Sequence, residues 1–231
     1  MSKIVELRSN RRAPDKIRSI MPVIVSLEKI KRQKGWFELR LDNGTTFPVN
    51  DELILKHALK VSESYLPSEI KAVRERAEYL FVKKKAYDIL SWRRLSEKEL
   101  RRRLKSEKKY AHVADRVIED LKQQHLIDDL DYAAALIQSS IAAGPRSKRY
   151  IRKKLYEKGV PADISDKAVE DELADYDEAD AAMKLAAKKY KTVKTLPELK
   201  AKKRIADFLR GRGFNWDVIN DALSKLFRPE E

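Results

Sequence analysis

The chain has no cysteine. That absence excludes disulfides, zinc–thiolate centres and thiol nucleophiles together, and it fits a reducing, cytoplasmic setting. Histidine is nearly as scarce: His57, His112 and His125 share no metal-ligand spacing, and His112 at a helix start and His125 near a helix end are expected to be structural. No apolar run approaches the ~18 residues of a membrane span. The polar, arginine-containing start also lacks the hydrophobic segment of a secretory signal, so a soluble protein without membrane contact is expected. Glycine is sparse, and its six copies form neither GxGxxG nor a GxxxxGK loop; all sit at expected turns or helix ends. The acidic stretch Glu170-Asp171-Glu172, with Asp175, Asp177, Glu178 and Asp180, straddles a helix end and a helix start. It lacks the pattern of a 12-residue calcium loop. Without a clustered catalytic set, the sequence predicts a non-enzyme that needs no cofactor and no metal.

What the chain does have is charge. Of its 231 residues 38% are charged, with a formal net charge of +14 and a pI near 9.7. That balance favours polyanionic partners, nucleic acid first. The excess divides about evenly before and after residue 90, so it is not one basic tail.

Residues 1–20 are polar, basic and without periodicity, as in a flexible tail. A small β-rich domain is expected over 21–66. Val23–Ile30 and Trp36–Leu41 read as strands, Asp42-Asn43-Gly44 as a hairpin turn and Thr45–Val49 as the returning strand. Asp51 looks like the cap of a short helix over Glu52–Leu59. Trp36 and Phe37 face opposite sides of their strand, one in the core and the other covered by the following helix. A three-stranded sheet is marginal alone and must pack on a helix.

From Pro67 the periodicity turns helical, starting with a linking helix over 67–84. A pattern then recurs at an interval of about 50 residues. Leu100/Leu104, Ile151/Leu155 and Ile205/Leu209 are i,i+4 apolar pairs on helices dense in Lys and Arg, each followed nine positions later by Val113, Ile164 or Val218. Lys158-Gly159-Val160-Pro161 and Arg212-Gly213-Phe214-Asn215 are matching breaks. Ser96 with Glu99 is a capping box. Asp129 and Asp131, and Asp177 to Asp180, put acids at helix starts, where the dipole favours them. Gly144-Pro145 and Pro161 read as breaks with Pro in the following first turn. Three units of three helices are therefore expected, at 85–127, 128–175 and 176–228. A unit this short must stack on neighbours to bury its apolar face. The fold class is mainly α: tandem three-helix repeats in an elongated, curved array behind a small β-containing domain.

The basic helices carry the candidate site. Lys98, Arg102 and Lys105 lie opposite Leu100 and Leu104 and have no i,i+4 carboxylate, whereas Arg101 and Arg103 have Glu97 and Glu99. In the second unit Arg146, Arg149 and Lys153 oppose the apolar pair, with Glu157 able to offset Lys153. In the third, Lys203 and Arg210 share their face with Asp207. Positive faces repeated at one place in successive units point to a polyanion or acidic-protein contact. Trp92, Tyr132, Tyr150 and Tyr156 could stack on bases, but helical spacing beside apolar residues assigns them to the core.

Taken in order, Leu95-Ser96-Glu97-Lys98-Glu99-Leu100-Arg101-Arg102-Arg103-Leu104, Leu126-Ile127-Asp128-Asp129-Leu130-Asp131-Tyr132-Ala133, Gly144 to Leu155 and Glu157-Lys158-Gly159-Val160 resemble the RecX family. Its members regulate the bacterial recombinase RecA. The resemblance covers residues from about 85 to 225. It implies a monomer lodged in the groove of a RecA–DNA filament, in contact with single-stranded or double-stranded DNA, restraining ATP hydrolysis and strand exchange in recombination, repair and the SOS response. Arg146, Arg149 and Arg152 match basic positions of the family's middle repeat. The first 65 residues lie outside the shared core, and Lys191 to Pro197 form an extra connection in the third repeat. A different class of function, a sequence-independent or helix-turn-helix-like DNA binder acting alone, also fits three-helix units. A base reader, however, would present Asn, Gln or Arg in a compact polar code, and here the exposed positions are largely Lys and Arg.

Overall fold

The computed structural model describes residues 21–228; the basic tail expected over 1–20 lies outside them. Three strands, β1 (Ile24–Lys29), β2 (Trp36–Leu41) and β3 (Thr46–Asn50), form an antiparallel sheet in that order. The register pairs Leu27 with Leu39, Leu39 with Phe47 and Phe37 with Val49. Alternation thus gathers Leu39, Leu41, Phe47 and Val49 on the buried side. The β2–β3 turn is built as its sequence requires. Gly44 has φ +80°, and the Asn43 side chain accepts from the Thr45 N–H at 2.9 Å.

Ten α-helices follow within the described residues: α1 (Asp51–Lys56), α2 (Pro67–Trp92), α3 (Glu97–Lys105), α4 (Ala111–Gln123), α5 (Asp129–Ala142), α6 (Lys148–Glu157), α7 (Ala162–Glu172), α8 (Glu178–Tyr190), α9 (Glu198–Arg210) and α10 (Trp216–Leu226). Two helix starts differ from expectation. Asn50, not Asp51, caps α1, its side chain accepting from Leu53 N–H at 3.0 Å. Ser147 caps α6, accepting from Tyr150 N–H at 3.0 Å, so Pro145 precedes the helix instead of standing in its first turn. For α1 the two candidates are neighbours of similar capping propensity; for α6 the proline lies two residues before the serine that caps it. Asp128 and Asp177 cap α5 and α8 in the same way, each accepting from two backbone N–H groups.

The described residues divide into two compact units: 21–92 with Leu104–Val117, and Arg93–Arg103 with 118–228. In the first, the sheet buries its apolar side against Ile70, Val73 and Ala77 of α2. Trp36 packs on Phe81, with ring centroids 4.9 Å apart, and Phe81 meets Tyr110 edge-on. Phe37 is half-buried against the same core. Glu78 of α2 is buried but satisfied, bonded to Arg74 at 2.9 Å and to His112 at 3.0 Å.

The second unit holds two successive three-helix bundles. In α5–α7, Ala133, Ile137, Ile151, Leu155, Ala168 and Val169 form one core. In α8–α10, Ala182, Ala186, Ile205, Leu209, Ile219 and Ala222 form the next. Tyr176 packs against both. The apolar pairs Leu100/Leu104, Ile151/Leu155 and Ile205/Leu209 are all buried. No helix among the described residues is long and apolar enough to cross a membrane.

Candidate polyanion interface

The three basic helices meet end to end through a joint that appears twice. At the first joint Ser96 caps α3, accepting from the Glu99 N–H at 3.2 Å, while its hydroxyl donates to the Lys158 carbonyl at the C-terminal end of α6. The first N–H of α3, on Glu97, is satisfied by the Asp129 carboxylate at 2.8 Å. At the second joint Ser147 caps α6, and its N–H donates to the Arg212 carbonyl just beyond α9 at 3.3 Å. The first N–H of α6, on Lys148, is satisfied by Glu178 at 3.2 Å. Each joint therefore supplies partners to a helix N-terminus whose donors have none within the helix. In each, a glycine turn, Gly159 or Gly213, closes against the next helix with φ above +80°. The stem of Lys98 lies across Gly159, and Ser147 with Tyr150 lies across Gly213, leaving no room for a Cβ.

The first joint is also electrostatically knit. Burial alone would raise the Glu97 carboxyl, but hydrogen bonds and charge from Arg101 (2.7 Å) and Lys122 (3.0 Å) hold it below its ordinary value. Its hydrogen bond and charge push Lys122 up in turn. Burial pushes Asp129 up, against the bond it accepts from Glu97 N–H.

The candidate cations fall into two groups. Lys98, Arg149 and Lys203 occupy one position of the repeat, two residues before Leu100, Ile151 and Ile205 respectively. All three are exposed, and none has a carboxylate within ion-pair distance among the described residues. Arg146 also lacks such a partner; its guanidinium lies over the Tyr150 ring at 4.9 Å. The remaining five are paired. Arg152 meets Asp166 at 2.7 Å, Lys153 meets Glu157 at 3.8 Å, Arg210 meets Asp207 at 2.8 Å and Arg102 meets Glu99 at 3.9 Å. Lys105 belongs to the first compact unit and bonds Asp115 at 2.8 Å. The expectation of unpaired charge is thus corrected for Lys105 and Arg102, because tertiary packing and an i,i+3 contact supply acids that i,i+4 counting omits.

The aromatic residues divide as well. Tyr132 and Tyr150 are half-buried, but Trp92 is 89% and Tyr156 75% exposed, against their expected place in the core. Tyr156 stands on the same helix as Arg149. Arg212 is a functional candidate that sequence reasoning passed over as part of a helix stop. Its guanidinium lies 3.6 Å from the centroid of Phe208, and burial together with the charge of Arg146 holds it below its ordinary value. The match of Lys158-Gly159 with Arg212-Gly213 is the sequence signal that could have found it.

Regulatory protein RecX of Clostridioides difficile is 30% identical over 211 residues, covering 91% of this chain and 99% of that relative. The chain belongs to the RecX family. RecX of Clostridium acetobutylicum is 28% identical over 211 residues, covering 88% of this chain and 96% of its own. The model of the second RecX three-helix domain matches residues 128–169, and that of the third matches 175–223. A crystal structure of a regulatory protein RecX superposes with a TM-score of 0.60 at 25% identity, over 87% of this chain and 100% of that one. RecX from Lactobacillus salivarius shares the fold at a TM-score of 0.56 and 22% identity, over 64% of this chain and 96% of its own. RecX relatives are named as regulatory proteins, so a regulatory role follows for this chain.

Proposed function

We propose that this protein is a non-enzymatic cytoplasmic regulator that binds the RecA–DNA filament as a monomer, along its groove, and slows ATP hydrolysis and strand exchange in recombination and repair. One observation carries the reading: Lys98, Arg149 and Lys203 recur at one position of three successive basic helices, exposed and without counter-charge. Isolated surface cations are ordinary. Three equivalent ones, each on a helix fixed by a buried apolar pair, offer a periodic contact to a periodic partner.

The physical consequence follows from linkage. Several weak contacts on one rigid frame multiply into useful avidity. Cations engaging DNA phosphates release counterions, so the affinity falls steeply with salt. A ligand that bridges subunits favours one filament geometry and thereby slows any step that needs another. The test is RecA's DNA-dependent ATPase at low salt with the purified protein added. Substoichiometric inhibition is expected, with no hydrolysis by the protein itself. An unchanged rate at equimolar protein would overturn the reading.

A further inference from the structure

The two joints share a backbone plan but differ in charge. At the first, the positions before and after the Ser96 cap carry Leu95 and Glu99, and the turn carries Lys158. Glu99 lies within 3.9 Å of Lys158, Arg93 and Arg102, so the cations there have a counter-charge. At the second, the equivalent positions carry Arg146, Tyr150 and Arg212. The acid has become an aromatic ring, an apolar residue has become an arginine, and neither arginine has a carboxylate partner among the described residues.

Both guanidiniums are nevertheless held in place. Arg146 lies over Tyr150, and its backbone is pinned by the Tyr176 hydroxyl, which accepts from Arg146 N–H at 3.2 Å and donates to Arg146 C=O at 2.9 Å. Arg212 stacks on Phe208, donates from Nη1 to the Phe208 carbonyl at 3.3 Å, and accepts from Ser147 N–H through its own carbonyl. Stacking holds a guanidinium plane by its face and leaves most of its in-plane N–H donors free. Both arginines thus belong to one joint, which the Ser147 N–H to Arg212 carbonyl contact holds together, with no carboxylate among the described residues paired to either.

We propose that Arg146 and Arg212 form a two-arginine clamp for one backbone phosphate of a nucleic acid strand. A phosphodiester presents two charged oxygens, which suits two guanidinium forks. Arg149, three residues beyond Arg146 and uncompensated, continues the positive track, as a regularly charged polymer requires. The inference rests on the polyanion-binding part of the proposed function and not on the recombinase.

The test is fluorescence anisotropy of a labelled oligothymidylate with the full-length protein at several salt concentrations. R146Q and R212Q should each weaken binding about tenfold. The double variant should lose little more than either, because both groups grip one phosphate. The log–log salt slope should become shallower by about 0.7 in either single variant and by no more in the double, since one phosphate is engaged. K158Q, at the first joint, where the lysine has Glu99 as counter-charge, should bind like wild type. R146K and R212K keep charge and stem but not the fork; they should also lose affinity, and they carry the test if a Gln variant fails to fold. Unchanged affinity in the arginine variants, an equal loss in K158Q, or no binding by wild type would overturn the clamp. So would variants that keep the oligonucleotide but release RecA, which would mark the pair as a site for acidic protein. A wild type that leaves RecA's ATPase untouched while the variants still lose the strand would fail the regulatory reading and leave the clamp standing.

Discussion

Lys98 lays its aliphatic stem across Gly159, so closely that a methyl group on the glycine would lie 2.6 Å from Lys98 Cδ and 2.8 Å from its Cβ. The glycine is needed twice over, for that approach and for its φ of +83°. The same contact steadies the stem of a cation whose charged end is free.

Gly159→Ala should lower the unfolding free energy by about 1–3 kcal/mol, the range for a non-glycine residue held in a left-handed conformation. In a Lys98→Ala background the loss should shrink only in part, because the clashes with Cγ and Cδ are relieved while the one with Cβ at 2.8 Å and the backbone strain remain. A urea-denaturation double-mutant cycle measures the difference.

Replacing Lys98, Arg149 and Lys203 together with Ala should leave stability within about 0.5 kcal/mol per site, since all three are exposed and unpaired. Binding to single-stranded DNA should weaken, and its log–log salt slope should flatten by about 2. A salt titration by anisotropy, with circular dichroism as the folding control, checks both halves. Equal slopes would mean the row is merely solvated.

Tyr176→Phe removes two hydrogen bonds to the backbone of Arg146 and leaves the ring in both repeat cores. A loss of about 1–2 kcal/mol is expected from those bonds. Oligonucleotide affinity should fall as well, because Arg146 loses its anchor while keeping its charge. Thermal melting and anisotropy on one preparation separate the two effects.

The first joint contains two acids of opposite pH behaviour. The Glu97 carboxyl is depressed in the folded state, so it contributes stability above its unfolded value and loses it as pH falls through the folded one. Glu97→Gln should therefore cost up to about 1 kcal/mol at neutral pH, with the gap closing in acid. Asp129 is raised by burial, so its ionised form is disfavoured in the fold above that raised value, and the penalty vanishes in acid. Asp129→Asn keeps an acceptor for Glu97 N–H and should be at least as stable as wild type at pH 7. Chemical denaturation from pH 3 to 7 should show the two variants diverging from wild type in opposite directions as pH rises.

Much of the architecture is local and therefore legible in the sequence. Asn43-Gly44 between alternating strands defines the hairpin, and the three apolar i,i+4 pairs place the buried seams of α3, α6 and α9. The joints are different. Ser96 meets Lys158 and Ser147 meets Arg212 across more than 60 residues, and no periodicity within a helix reports such a contact. Lys105 looks unpaired because its acid, Asp115, lies ten positions on, past a turn. Tyr156 looks like core because its neighbour Leu155 is core; one helical step of about 100° turns it outward. Arg212 hides in a glycine-bounded stop, where a cation is ordinary.

The joint has a direction, and the third basic helix does not repeat its receiving end. Where α3 and α6 begin with a serine, α9 begins with Pro197, which offers no hydroxyl to cap the helix and no N–H to reach another turn. Leu199, in the first turn, is left 81% exposed. The stack is therefore self-terminating: a second copy cannot prolong it by reusing the same contact. Two copies side by side on a repeating partner would therefore share no contact of this kind.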